Sequence, residues 1–492
     1  MTNGERMAPV DRAWLLMERP TNPMVIVAVI ALGGRLSRTA LRRIIEERLL
    51  AFDRFRCRPV SETLGARWER TANFDLDDHV LTAALPSPAG QRELESLVGD
   101  LCGTPFNQVR PWWSFHLVER YGRGSAIVAR IHHCYADGIA LMKVLLGMTD
   151  GGTRRPRPTR DAQHGAPVAR DGSLLAGIYE PVVELLGDAL RAGAGLIGQG
   201  AHYALHPGEA ADVAADATGA LSELVRLALL ADDPATAFKR PLSGARRVAW
   251  APPLALEQIK ALSHALDCTV NDVLMATLAG ALGAQLRRHG ERTAGRVLHA
   301  AVPVNLRRSE ATEDALGNRF GLVFVELPVG MRSPLDRLFR VRDSMRTLKA
   351  SSQAMMTYSL LAAVGSLPQA VEDTAIDAFT AKASLVASNV PGPPEIIRIG
   401  GVAVRQLHFW VPQAGSIGIG VSLLSYHGQV QFGVMADRQL IADPAALAAE
   451  FVSEFERLVL QVSLLPPPAD AAAKQRAAPR GRRAAARRSA AR

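Results

Sequence analysis

Ile131-His132-His133-Cys134-Tyr135-Ala136-Asp137-Gly138 is the densest group of side chains capable of chemistry in this 492-residue chain. Upstream of it, residues 114–120 and 125–131 read as two strands around the turn Tyr121-Gly122-Arg123-Gly124. Downstream, a helix is predicted from Gly138 to about Met148. The octapeptide therefore occupies a strand–loop–helix junction. Neighbouring residues on a strand point to opposite faces, so at most one of the two histidines faces a given cleft. An imidazole, with an ordinary pKa near ~6.5, takes and returns a proton around neutrality. Asp137 is placed to brace the loop by pairing with a cation, and Gly138 permits a tight start to the helix. Two ring nitrogens on opposite faces chelate a metal poorly, and no third ligand cluster accompanies them, so no metal is expected. A lone histidine at a strand end is read as packing. The spacing His-His-x-x-x-Asp-Gly in this setting argues instead for a reactive base.

Working outward, residues 24–32 (MVIVAVIAL) are rich in β-branched side chains and stop at Gly33-Gly34, the pattern of a buried strand. Ser37 caps a helix to Leu50, and Phe74 to Val80 reads as a loop leading into an extended piece. Residues 151–172 have the Pro/Gly/Arg composition of a linker, and apolar residues then recur at helical spacing between 174 and 230. Helices follow at 256–266 and 271–288, strands at 297–304, 321–327, 383–387, 417–425 and 429–434, and a last helix at 445–462. This order predicts two mixed α/β lobes. The expected division is an N-terminal lobe 1–150, a linker and helical connector 151–245, a C-terminal lobe 246–465 and a disordered basic tail 466–492.

Charge is unevenly placed. Lys and Arg number 57 against 48 Asp and Glu, a formal +9, but residues 471–492 hold eight basic residues and no acid. The body keeps 49 basic against 48 acidic residues, which argues against a nucleic-acid-binding domain. Cys57, Cys102, Cys134 and Cys268 have neither disulfide-framework nor zinc spacing, so a reducing compartment is expected. No basic-then-apolar leader opens the chain, and its apolar runs fall far short of the ~20 residues of a membrane span. A cytoplasmic location, with peripheral membrane contact, is the expectation.

The motif His132-His133-x-x-x-Asp137-Gly138 is similar to the signature of the CoA-dependent acyltransferases, which include chloramphenicol acetyltransferase, plant alcohol acyltransferases and peptide-synthetase condensation domains. The rest of the chain resembles one branch, the bacterial wax ester synthase/acyl-CoA:diacylglycerol acyltransferase family. Pro9-Val10-Asp11-Arg12-Ala13-Trp14 and Pro20-Thr21-Asn22-Pro23-Met24 look like that family's opening. Trp68 with Phe74-Asp75-Leu76-Asp77, and Arg110-Pro111-Trp112-Trp113 with Leu117-Val118-Glu119, match its next blocks. Val270-Asn271-Asp272-Val273-Leu274, Val302-Pro303-Val304-Asn305-Leu306-Arg307, Gly317-Asn318 and Ser388-Asn389-Val390-Pro391-Gly392-Pro393 follow in the family's order. Two positions depart from it: Trp112 stands where leucine is usual, and Val25 where histidine is common.

The resemblance implies an α/β fold of two chloramphenicol-acetyltransferase-like lobes, each a mixed sheet flanked by helices, with the active site between them. It implies an O-acyltransferase in which His133 is the general base, His132 is mainly structural, and Asp137 pairs with an arginine, for which Arg307 is best placed. Acyl-CoA and a lipid alcohol, diacylglycerol or a long-chain fatty alcohol, are the implied substrates, with no cofactor beyond them. Cys134, at a position usually small in the family, is read as packing. Asn271 and Asp272 either shape the site or, through the capping box of Thr269 and Asp272, begin a helix. Ser388 and Asn389 either donate to the oxyanion or serve a turn. Gly415 to Gly420 superficially echo a phosphate loop but precede a strand-like run, which argues against a nucleotide site. Rival readings are an acyltransferase with another acceptor, or a lipid-binding or inclusion-coating protein that keeps the fold. The helical stretch 174–230 and the tail are the candidate membrane contacts. The tail also reads as a solubilising extension.

Overall fold

The computed structural model describes residues 5–62, 65–152, 231–306, 316–365 and 376–465. The amphipathic stretch 174–230, Arg307 and the basic tail lie outside them.

Val25–Leu32 is a strand buried along its length, as its β-branched run requires. Alternate residues take opposite faces: Val25, Val27 and Val29 join a cluster with Leu94 and Val98 of the helix Gln91–Gly103. Ile26, Ala28 and Ile30 face the helix Gly138–Gly147 across an apolar space. The sheet order is Arg398–Ile399, Val402–Trp410, Val25–Leu32, Gly124–His132, Trp113–Tyr121, Val80–Ala83. Two of these six strands come from the chain's C-terminal half. The lobe division at residue 246 is thus crossed in space. Val402–Trp410 leaves its own lobe and pairs antiparallel with Val25–Leu32, with Trp410 opposite Val27 and His408 opposite Val29.

The second sheet runs Phe320–Leu327, Leu298–Asn305, Leu385–Pro391, Ile419–Tyr426, Gln429–Asp437, Arg246–Trp250. Its outer face is covered by three helices, Val270–Arg288, Pro334–Lys349 and Pro444–Ser463, around a core in which Phe432 stacks on Phe451 at 3.9 Å. Gly280 is needed here. A Cβ at that position would lie 2.4 Å from the Arg337 guanidinium, which donates to Ala276 O and pairs with buried Glu454. No single described helix is long and apolar enough to cross a membrane.

Side chains reinforce the crossing strand. Arg246 donates to Asn22 Oδ1 and Thr21 O, and the Asn22 amide donates to Gly415 O and Ile417 O at 3.1 and 2.9 Å. His408 stands at this seam, stacked 5.0 Å from Trp250, with neither ring nitrogen bonded to any described group. Burial holds its pKa down at about 3. Between pH 6.5 and that value the unfolded chain binds a proton here that the native state does not, so stability rises with pH across this window. The slope is at most ~1.4 kcal/mol per pH unit from this one group. His408→Leu should therefore lose less Tm than the parent between neutral pH and pH ~5; equal losses in the two proteins would refute the assignment.

Candidate active site

The strand Gly124–His132 ends where the motif begins, and the helix Gly138–Gly147 starts just after it. His132 and His133 diverge at that point. His132 is fully buried beneath the strand end: its Nδ1 accepts from Cys134 N at 3.2 Å, so Nε2 carries the proton and faces Glu18 Oε2 at 3.3 Å. The same Glu18 oxygen accepts from Met24 N, and Met24 O accepts from His133 N at 2.8 Å. Glu18 thus ties both histidines to the segment that precedes Val25–Leu32. Trp112, the departure from the family pattern, packs edge-on against His132.

His133 turns toward a cavity between the sheets. Its ring stacks on Trp14 at 4.0 Å and lies 5.7 Å from Phe320. Its carbonyl accepts from Asn318 Nδ2 at 3.0 Å. Asn318 is held in turn by Asp11 Oδ1, which accepts from its backbone N at 3.0 Å and from its amide at 2.8 Å. Gly317 makes the approach with φ +123°, a conformation that side chains other than glycine's rarely allow. Burial raises the Asp11 pKa, opposed by Arg54 3.6 Å away. Burial also pushes His133 down to about 3, against the pull of the Asp137 carboxylate. The imidazole is consequently neutral at any physiological pH.

Asp137 caps the helix: one oxygen accepts from Ala140 N at 2.9 Å and the other from Arg319 N at 3.0 Å. A described partner of the motif aspartate is thus a backbone amide of the C-terminal half. Cys134 and Tyr135 are fully buried. Burial raises the Cys134 thiol well above its usual range, and Tyr135 donates to Cys57 O while accepting from Trp112 N.

The cavity holds about 1140 Å³ including its mouth, and its wall includes Trp14, His133, Asp137, Gly138, Asn305, Thr357, Ser388 and Asn389. His133 and Asp137 are its only ionisable lining residues among those described. A second cavity of about 650 Å³, lined without one polar side chain, lies between the N-terminal sheet and the helix Gly138–Gly147. The two share Gly138 and Val390. A Cβ on Gly138 would find its nearest neighbour at 4.0 Å. A close contact therefore does not demand glycine there, and its small size leaves open space where the two cavities share a wall.

Ser388 and Asn389 lie within the strand Leu385–Pro391, in register with Ser422 and Leu423, so the turn reading is corrected: the Pro-Gly-Pro punctuation acts only beyond them. Asn271 lines neither cavity. Its Oδ1 accepts from Asn389 Nδ2 at 3.0 Å, behind the wall. Asp272 closes the capping box with Thr269 and also lines neither cavity. Among the described residues no three His, Cys, Asp or Glu side chains converge as a metal set. Asp11 and Trp14 entered the sequence reading only as part of the opening block, with no role in the site, and Glu18 and Thr357 were not singled out. Nothing in a one-chain pattern marks a buried carboxylate whose partner is 307 residues away.

Asn318→Ala should lower kcat with little change in KM and cost about 1–3 kcal/mol of stability, since Asp11 and the His133 carbonyl both lose the side-chain amide donor while the backbone N–H to Asp11 remains. Asn318→Asp should be worse, placing two carboxylates together. Wild-type kcat in a folded Asn318→Ala protein would refute the positioning role.

The chain matches the wax ester synthase/diacylglycerol acyltransferase catalytic-domain model over residues 7–274 and the WS/DGAT C-terminal-domain model over 316–459. It is 29% identical over 420 residues to proteins of Mycobacterium bovis and Mycobacterium tuberculosis that bear the name diacylglycerol O-acyltransferase, covering 82% of this chain and 84% of each relative. Among solved structures it is similar to the wax ester synthase/diacylglycerol acyltransferase of Marinobacter aquaeolei VT8, with TM-score 0.63 and 19% identity, covering 93% of this chain and all of that one. It also resembles the starter condensation domain of rhizomide synthetase, with TM-score 0.54 and 14% identity, over 96% and 97% of the two chains. These likenesses extend the two-lobed fold to condensation domains. The catalytic-domain match covers more than half of the sequence and includes the motif at the cavity wall, so the chain belongs to the wax ester synthase/diacylglycerol acyltransferase family.

Proposed function

We propose that this acyltransferase moves a long-chain acyl group from coenzyme A to the hydroxyl of a lipid alcohol, diacylglycerol foremost, with His133 as general base. The observation that carries the reading is the meeting of two apolar cavities beside one buried, neutral imidazole. Neutral His133 takes the proton of the alcohol O–H while its oxygen attacks the thioester carbonyl. The tetrahedral oxyanion collapses with cleavage of the C–S bond, and the imidazolium returns the proton to the departing thiolate. No acyl-enzyme is formed. The imidazolium exists only while an oxyanion stands near it and Asp137 lies behind it, so its cost in an apolar site is offset at that moment. Ser388, with Asn389 braced by Asn271, is on the wall as a donor to that oxyanion.

The smaller cavity suits the acyl chain, because an alkyl tail needs no polar partner. The larger one, with His133 and a few polar side chains on its wall, suits the acceptor. The limited access of water protects the thioester from hydrolysis. Both lipid substrates place the enzyme at the cytoplasmic face of a membrane or on a lipid inclusion. The relatives' name favours diacylglycerol over a fatty alcohol.

Purified protein given labelled long-chain acyl-CoA with diacylglycerol, with fatty alcohol or with neither should form triacylglycerol most rapidly, then wax ester, with little free acid. His133→Ala should lose about 10²–10⁴-fold in kcat. Acyl transfer that survives in that variant overturns the mechanism, and the absence of any ester with wild type favours a lipid-binding protein. Because His133 is neutral above about 3, kcat/KM should show no acid limb near pH 6.5. A limb there that disappears in a folded His133 variant retaining residual activity would contradict the neutral-base assignment.

A further inference from the structure

The C-terminal lobe carries an amphipathic corner that the chemistry at His133 does not use. Leu460 is 62% exposed, Leu464 77%, Leu465 43% and Met331 39%, four of the nine exposed large apolar side chains among the described residues. Leu460 and Leu464 share a surface with the segment around Arg332 and Pro334, because Gln461 reaches across from the helix Pro444–Ser463: its Oε1 accepts from Leu335 N at 3.3 Å and its Nε2 lies 3.5 Å from Ser333 Oγ. A shallow groove beside them is lined by Leu460, Leu464, Arg287, Arg332 and Arg457. The groove's one carboxylate, Glu454, is already paired with Arg337 and Arg457. No described carboxylate forms an ion pair with Arg287 or Arg332. Isolated exposed leucines are ordinary, but leucines grouped beside unneutralised arginines form an interaction surface.

We propose that this corner seats the protein on an anionic phospholipid surface, with Leu460 and Leu464 entering the headgroup–acyl boundary and Arg287 and Arg332 facing the lipid phosphates. Charge decides among the candidate occupants. The chain's own continuation, residues 466–492, holds eight basic residues against the single acid Asp470, so it has the same sign as the groove and is a poor cover for it. A second copy related by a two-fold axis would bring the same arginines face to face. An anionic bilayer satisfies the leucines, the groove and the tail together.

The surface acts as a tether, not as a substrate entrance. Met331 and Arg332 follow Leu327, whereas Phe320, which lies 5.7 Å from the His133 ring, is at the opposite end of that strand. Seven residues of extended chain separate the two, roughly 23 Å. Its loss should therefore spare the chemical step. The inference does not depend on which alcohol is acylated.

The test is co-sedimentation of the full chain with phosphatidylcholine vesicles and with phosphatidylcholine/phosphatidylglycerol vesicles, at low and high salt. Wild type should bind the anionic vesicles preferentially and keep part of that binding at high salt, where the tail's contribution is screened. Leu460→Ser/Leu464→Ser should abolish the salt-resistant part, and Arg332→Glu should weaken low-salt binding about tenfold. Both variants should keep wild-type turnover on detergent-dispersed substrate, because the substituted side chains are exposed and line no part of the cavity beside His133. Salt-resistant binding that persists without the leucines overturns the proposal. So does a wild-type dimer that the leucine changes dissociate without altering vesicle binding, and so does binding indifferent to lipid charge. A wild type inactive on dispersed substrate would count against the acyltransfer reading alone, since the vesicle measurement needs no turnover.

Discussion

The Asp11 carboxylate is the constraint on which the site rests. It is buried, and it stays satisfied by gathering the backbone and side-chain donors of Asn318 while Arg54 approaches from the other side. Leaving such a group unpaired in an apolar interior would be costly. The arrangement therefore brings together the first helix, the start of the Phe320–Leu327 strand and the carbonyl of His133. Trp14, three residues after Asp11 on the same helix, is thereby placed flat against the imidazole. One buried charge sets the pose of the base without touching its ring.

The electrostatics of the pocket follow from this economy. Almost every polar group near His133 is engaged in holding backbone, and the wall exposed to substrate is apolar apart from a few residues. A base in such surroundings is weak at rest, since burial penalises its cation more than the Asp137 carboxylate favours it. It becomes effective only when the reaction itself supplies the opposite charge, a form of preorganisation that penalises idle protonation. His132 illustrates the contrast: it has the same side chain one position earlier, yet both its ring nitrogens are committed to Cys134 N and Glu18, and its role is to hold the strand end in place.

Much of this was legible in the sequence, and the parts that were not share one cause. The motif, its strand–loop–helix setting, the buried strand at Val25–Leu32 and the capping box at Thr269 and Asp272 are local patterns, readable within a few residues. Asn271 behind Asn389, Asp11 beneath Asn318 and Glu18 beneath His132 are pairings over long sequence distances, for which periodicity carries no signal. Val402–Trp410 was missed for a related reason. Arg405, Gln406 and His408 interrupt its apolar run, and its partner strand lies near the other end of the chain. Ser388 and Asn389 were drawn toward a turn by the neighbouring Pro391-Gly392-Pro393, although parallel pairing with Ile419–Tyr426 carries the strand through to Pro391.

The crossing strand also sets an order of events during synthesis. The N-terminal sheet cannot be completed until residues near 402–410 have left the ribosome, hundreds of residues after Val25–Leu32. Until then, one edge of that apolar strand has no native partner, the kind of edge that pairs with the wrong chain. Contacts this remote in sequence form slowly. The nascent enzyme therefore passes through a long interval in which its most aggregation-prone edge is uncovered, and the burden of protecting it falls on chaperones or on transient non-native cover rather than on the finished fold.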